Sequence, residues 1–371
     1  MLEGEEDRAD VKLTILDDEG RVLQEIIVKG VFPSLSPDGK SIVFLDNKIG
    51  KVSLMNTSDL KPDVLPIQDA HTANLSFLTA LEWSPDGKKI AILIPSEELM
   101  NEDFTQEIRD NGWPIRIVVY DVAGRPSREL KVTTFQHIPE AIYAMKLQWL
   151  PDSSKLLLAG EWIRLIDTDS GESTVVHKGT AIAHITAKGD GIILIGQHEK
   201  EPGLRNPVQV DEGSGTDISG REMSVFRYDI ANKTKKELCK FQWMAGEVDA
   251  LGGDLPFVIP RQSAFTFLSA DGNYLFRSGI NNIGDGFYIL NLTNNEAATK
   301  PFSENRFIPQ AISPRSNNLV CGLMHKPEPG YGILDIDTMQ FRRIKGFSSN
   351  APNGEGGIMT RFFFNKVNWS K

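Results

Sequence analysis

The stretch WSPDGKKIAILIP, residues 83–95, sets a Ser-Pro-Asp-Gly turn between two apolar runs. Proline presets φ at the second turn position, aspartate can close the turn through its side chain, and glycine accepts positive φ. An apolar run, a tight turn and a second apolar run are the grammar of a β-hairpin. The same grammar returns in SLSPDGKSIVFLD (34–46), LQWLPDSSKLLLAG (147–160), FLSADGNYLFRSG (267–279) and AISPRSNNLVCGL (311–323). A weaker copy is HITAKGDGIILIG (184–196).

A second kind of hairpin follows each of these, with Asp-, Asn- and Gly-rich turns. The copies begin at Val52, Ile115, Trp162, Ser224, Gly286 and Tyr331. A seventh, VKLTILDDEGRVLQEIIV from Val11, precedes every hairpin of the first kind. Its partner is expected at the other end of the chain, in RFFFNKVNWSK (361–371), where Asn368-Trp369-Ser370 echoes Glu82-Trp83-Ser84. Two hairpins per repeat make a four-stranded unit, and radial repetition of such units is a β-propeller. The expectation is therefore one all-β domain over residues 1–371, a propeller of seven four-stranded blades. The count falls to six if the copy at His184 is discounted. The blades fall near 32–66, 78–131, 146–177, 180–242, 264–303 and 308–346, with 358–371 and 11–28 closing the last one from both chain termini. Such closure removes free sheet edges.

The S-P-D-G-K turns at Ser36–Lys40 and Ser84–Lys88 have degenerate copies at Pro151-Asp152, Ala270-Asp271-Gly272 and Ser313-Pro314. This repeat resembles the WD-repeat-like propeller repeats of TolB-type proteins. It is also similar to the propeller domains of tricorn and prolyl-oligopeptidase-type peptidases. The Trp-Asp dipeptide of true WD repeats does not occur. The resemblance implies a propeller that binds a protein or peptide, or one that gates a larger peptidase.

Composition narrows the classes. Of 371 residues, 40% are hydrophobic and 24% charged, ordinary for a globular chain with a sizeable core. The formal charge of −10 repels a polyanion, so no nucleic-acid partner is expected. Lys233, Lys235 and Lys236 read as decoration of a solvated turn. The two cysteines, Cys239 and Cys321, build neither a disulfide framework nor a Cys-rich zinc site and read as buried thiols in strands. No apolar run is long enough for a membrane-spanning helix. The start, MLEGEEDRAD, lacks the basic and apolar regions of a signal peptide. The expected compartment is cytoplasmic, or periplasmic or secreted if a leader has been removed.

Connectivity sorts the loops by face. With strands a to d running outward, the a–b and c–d turns share one face, and the b–c and d–a connections share the other. The tight turns all fall on the first face and the long insertions on the second, the usual place for function. Residues 96–112 read as a short helix, and residues 199–222 as a Gly- and Pro-rich flap. Phe104, Trp113, Trp243, Phe257 and Arg261 are the candidate partner-binding residues, since aromatic and arginine side chains anchor interfaces. No G-x-S-x-G elbow, H-E-x-x-H, phosphate loop or EF-hand spacing occurs, so neither catalysis nor a cofactor is expected. The alternative is a lactonase- or cyclase-like enzyme with a metal at the channel mouth, held by His137, Glu140, Glu247 or Asp249. Glu82, Gln148 and His184 are the polar residues that fall near innermost strands, and they make a poor catalytic set.

Overall fold

The computed structural model describes residues 11–16, 21–46, 51–66, 80–95, 113–123, 128–134, 146–159, 162–178, 181–196, 222–242, 266–269, 271–279, 286–294, 297–301, 307–313, 316–323 and 330–348. These hold strands and turns, with no α-helix among them. A hairpin of β1 (Val11–Leu16) and β2 (Val22–Val28) comes first. Six four-stranded antiparallel sheets follow in strict chain order. Blade 1 is β3 (Gly30–Leu35), β4 (Ser41–Asp46), β5 (Lys51–Asn56) and β6 (Pro62–Val64). Blade 2 is β7 (Leu81–Trp83), β8 (Lys89–Pro95), β9 (Trp113–Asp121) and β10 (Arg128–Thr134). Blade 3 is β11 (Lys146–Trp149), β12 (Lys155–Ala159), β13 (Trp162–Asp167) and β14 (Ser173–Lys178). Blade 4 is β15 (Ala181–Ile185), β16 (Gly191–Gly196), β17 (Glu222–Asp229) and β18 (Thr234–Gln242). Blade 5 is β19 (Thr266–Leu268), β20 (Tyr274–Gly279), β21 (Gly286–Asn291) and β22 (Ala297–Pro301). Blade 6 is β23 (Phe307–Ile312), β24 (Asn318–Leu323), β25 (Gly330–Asp335) and β26 (Gln340–Ser348).

Apolar layers join each sheet to the next. Ile26 and Val28 of the first hairpin pack on Ile42, Phe44 and Met55 of blade 1. Val43 and Leu45 then meet Trp83, Ile90 and Ile92 of blade 2. Ile115 and Ile117 meet Leu147, Trp149 and Leu156 of blade 3. Leu157 and Leu165 meet Ile192, Leu194 and Phe226 of blade 4. Ile193 and Ile195 meet Leu268 and Leu275 of blade 5, and Phe276 meets Leu319, Cys321 and Leu334 of blade 6. Each second strand buries both faces, which is why IVFL, IAILI and IILI are unbroken apolar runs and not alternating ones. The first strands of neighbouring blades approach one another, β3 to β7 and β7 to β11, so they lie innermost. Trp83 Nε1 donates to the Ser34 carbonyl at 2.9 Å, and Trp149 Nε1 to the Glu82 carbonyl at 3.0 Å, tying blade to blade.

The turns follow the chemistry expected of them. Ser84 is fully buried; its Oγ donates to Asp86 Oδ1 at 2.6 Å and accepts from the Lys89 amide at 2.8 Å. Ser36 and Asp38 repeat the arrangement, and the Ser36 hydroxyl holds the Asp38 carboxyl below its usual range. In blade 4 Thr186 takes the serine's part, bonding Asp190 at 2.7 Å and the Gly191 amide at 3.0 Å. So Ser84→Ala is expected to cost about 1–2 kcal/mol in urea denaturation, by leaving buried polar groups unpaired. Ser84→Thr should restore most of that loss, because Thr186 already fills the same role. Equal losses for both variants would deny the hydroxyl its part.

The copy at His184, the weakest in sequence, forms a complete four-stranded blade. Six such blades are described, and residues 349–371, where the closing strands of a seventh are expected, lie outside the described residues. Cys321 is buried and Cys239 half-buried, neither in a disulfide, while Lys233, Lys235 and Lys236 are exposed.

Candidate functional site

One face of the blades is made of short turns that hold one another. The amide opening each described c–d turn donates to the carbonyl ending the a–b turn of its own blade, as Thr57 to Lys40 and Val122 to Lys88, both at 2.9 Å. Neighbouring blades are linked there too, the Asp86 amide donating to Ser153 Oγ at 3.2 Å. The opposite face receives the connections spanning residues 67–79, 96–112, 135–145, 197–221 and 243–265.

On that face the outer strand pairs overrun the inner ones. In blade 2, β8 stops pairing at Pro95 opposite Ile115, yet β9 and β10 run on through Pro114 with Thr133 to Trp113 with Thr134. In blade 3 the last rung between β12 and β13 is Leu158 with Arg164, while β13 and β14 continue to Trp162 with Lys178. In blade 4, β16 ends at Gly196 opposite Ser224, and β17 and β18 continue to Glu222 with Gln242. In these three blades the β9–β10, β13–β14 and β17–β18 pairs are thus described further toward the long-connection face than their second strands are. Those of blades 2 and 4 carry the insertions 96–112 and 197–221.

Of the residues singled out in sequence, Trp113 is the first residue of β9, within a strand and not in the preceding loop. Phe104, Trp243, Phe257 and Arg261 lie outside the described residues, as do His137, Glu140, Glu247 and Asp249 and the expected helix and flap. Among the described residues no three of His, Cys, Asp and Glu gather as a metal site.

The innermost strands carry the three polar residues expected there, and the register adds Ser34 at the same level. Ser34, Glu82, Gln148 and His184 each stand two residues before the residue that opens the a–b turn, in blades 1 to 4. Leu147 and Trp149 pack toward blade 2, so Gln148 takes the blade 4 side of β11. Ala183 packs toward blade 3, so His184 takes the blade 5 side of β15. Gln148 Oε1 and His184 Nε2 are both buried without a hydrogen bond. Burial, with a smaller push from the Lys146 charge, lowers His184 to about 3, so the ring is neutral at physiological pH.

No family model matches the sequence, and no curated protein does. Among solved structures the chain is similar to an oligogalacturonate lyase from Vibrio parahaemolyticus, with a TM-score of 0.53 and 10% identity over 89% of this chain and 88% of that one. It is similar to an acylaminoacyl peptidase from Pyrococcus horikoshii, with a TM-score of 0.51 and 11% identity over 91% of this chain and 48% of that one. TolB from Acinetobacter baumannii matches at 15% identity over 84% of this chain and 61% of that one, with a TM-score of 0.39, too loose a superposition to argue from. The first two establish the β-propeller fold. A lyase and a peptidase both carry it, so the fold does not decide between catalysis and binding.

Proposed function

We propose that this chain is a non-enzymatic binding propeller, TolB-like in the sense its turns suggest, whose long-connection face docks a protein or peptide. Phe104, Trp113, Trp243, Phe257 and Arg261 are its contact residues. The observation that carries the reading is connectivity: the long connections of blades 2 and 4, residues 96–112 and 197–221, each join a second strand to a third and so belong to one face. The other face is built of short turns bonded to one another.

The proposed ring has seven blades over residues 1–371, with residues 358–371 completing the blade begun by β1 and β2. Two observations favour that count. The first hairpin already packs on blade 1 through the same kind of apolar layer that joins the other blades. Its opposite face exposes Leu23 and Ile27, each at 65%, as a strand waiting for a neighbouring blade would.

The test is affinity capture from native extract with wild type, a Trp243→Ala, Phe257→Ala double variant, and a Lys88→Ala control on the short-turn face. A protein retained by wild type and control but depleted at least about tenfold by the double variant, at unchanged melting temperature, is the expected result. Equal retention by all three sinks the assignment of that face.

A further inference from the structure

The rim of blade 3 holds two cations on one indole. The Arg164 guanidinium carbon lies 5.3 Å from the Trp162 ring centroid, and Lys178 Nζ lies 5.4 Å from it. Register explains the meeting. Ile163 and Leu165 pack toward blade 4, so Trp162 and Arg164 share the blade 2 side of β13, with Lys178 opposite Trp162 on β14. Trp162 and Lys178 form the rung that overruns β12, which puts the group on the long-connection face.

Arg164 is the anomalous member. Its Nη1 donates to Ser173 Oγ at 3.3 Å, and its Nε is buried with no hydrogen bond. No carboxylate pairs with it among the described residues. A half-buried guanidinium is ordinarily matched by an acid, because desolvating a charge without a counter-charge is costly. Burial accordingly pulls its pKa below the ordinary value. Gathering two cations on one ring, with one of them unmatched, is also odd in a chain of net charge −10. An anion supplied from outside would resolve all of this at once. A guanidinium presents planar N–H forks that a carboxylate fits bidentately, and the indole supports the guanidinium plane.

We propose that Arg164, Lys178 and Trp162 form a carboxylate-binding site on the rim of blade 3, which takes an acidic side chain of the docked peptide. This rests on the long-connection face being the docking surface, and it adds the chemistry of the ligand. Ser173 holds one end of the guanidinium through Nη1.

The experiment titrates a hexaglutamate peptide, its hexaglutamine counterpart and inorganic phosphate into the full chain at near-physiological ionic strength, followed by calorimetry and tryptophan fluorescence. Hexaglutamate is expected to bind wild type, hexaglutamine not to bind, and Arg164→Gln to weaken hexaglutamate at least about tenfold. The melting temperature of Arg164→Gln should be no lower than that of wild type, because the substitution removes an unmatched half-buried charge. Lys178→Gln serves as a second variant and should weaken binding less, being a point charge without a fork. Absence of hexaglutamate binding to wild type, or equal binding by Arg164→Gln, overturns the site. Binding of phosphate alone overturns the carboxylate assignment. The two proposals fail separately. A partner captured equally by wild type and Arg164→Gln removes this site and leaves the docking face. Arg164-dependent hexaglutamate binding in a chain that captures no partner keeps the site and removes the docking reading.

Discussion

Replacing His184 with leucine should flatten the acid side of this protein's stability curve. The imidazole is only 8% exposed, its Nε2 has no hydrogen bond, and burial holds its folded pKa near 3. An unfolded histidine titrates near 6.5. Between those values the unfolded chain binds a proton that the folded chain refuses, so stability falls as pH falls. Nothing is lost above about pH 6.5, and each unit below it costs about 1.4 kcal/mol, or roughly 3 kcal/mol by pH 4. The carboxylates held low by their turn hydroxyls, Asp38 by Ser36 and Asp190 by Thr186, lose their contribution at lower pH, below the ordinary carboxylate range. Urea midpoints of wild type and His184→Leu from pH 7 to pH 4 isolate the histidine as a difference. Wild type should fall faster by about 3 kcal/mol, and at pH 7 the variant should be no less stable, since it replaces an unpartnered polar group by an apolar one. Parallel decline of the two proteins would mean that the ring takes up its proton in the folded state.

That histidine shows where sequence reading stops. The turns were legible because each position has its own backbone chemistry. Ser84, Asp86 and Gly87 announce the hairpin, and the apolar runs on either side supply its strands. The weak copy was still legible as a hairpin because Thr186 can do the work of serine and Gly189 keeps the positive φ. Glu82, Gln148 and His184 were legible as polar residues near innermost strands, but the level they share with Ser34 was not, because a level is a relation between strands far apart in sequence. Each residue alone is an ordinary polar position on a short strand. Trp162 was only half legible. Alternation puts it on the same side of its strand as Arg164, but counting outward from the turn at Asp167–Gly171 sets it opposite His177, and only the register shift after Arg164 brings Lys178 there instead. Long loops drew attention instead, since aromatic residues there have no core to explain them, whereas an aromatic residue in a strand is assumed to have one. The start of β9 at Trp113, ahead of Pro114, was not legible either, because proline is tolerated in a strand wherever no neighbour needs its N–H.

The second large effect belongs to Gly332, where a single methyl group should cost more than a whole backbone constraint does elsewhere. Gly332 lies in β25, opposite Cys321 on one side and Arg343 on the other. A Cβ there would run into the Phe341 ring and come within 2.6 Å of the Arg342 carbonyl oxygen. The ring packs into the layer between blades 5 and 6 with Phe276 and Leu334, and the carbonyl belongs to β26. Neither can yield without shifting packed neighbours, so Gly332→Ala is expected to cost about 2–3 kcal/mol. Gly39 is the control, because it fails for the opposite reason. Its φ is +73° and nothing lies within 4 Å of its added Cβ, so Gly39→Ala pays only for left-handed backbone, about 1 kcal/mol. Urea midpoints at unchanged slope rank the two. If Gly332→Ala is no worse than Gly39→Ala, the close approach of β25 and β26 is not what demands glycine. The double variant Gly332→Ala, Phe341→Leu then separates the two obstacles. Recovery relative to the sum of the single losses assigns the cost to the ring. Simple additivity assigns it to the carbonyl, and so to the spacing of the strand pair that ends blade 6.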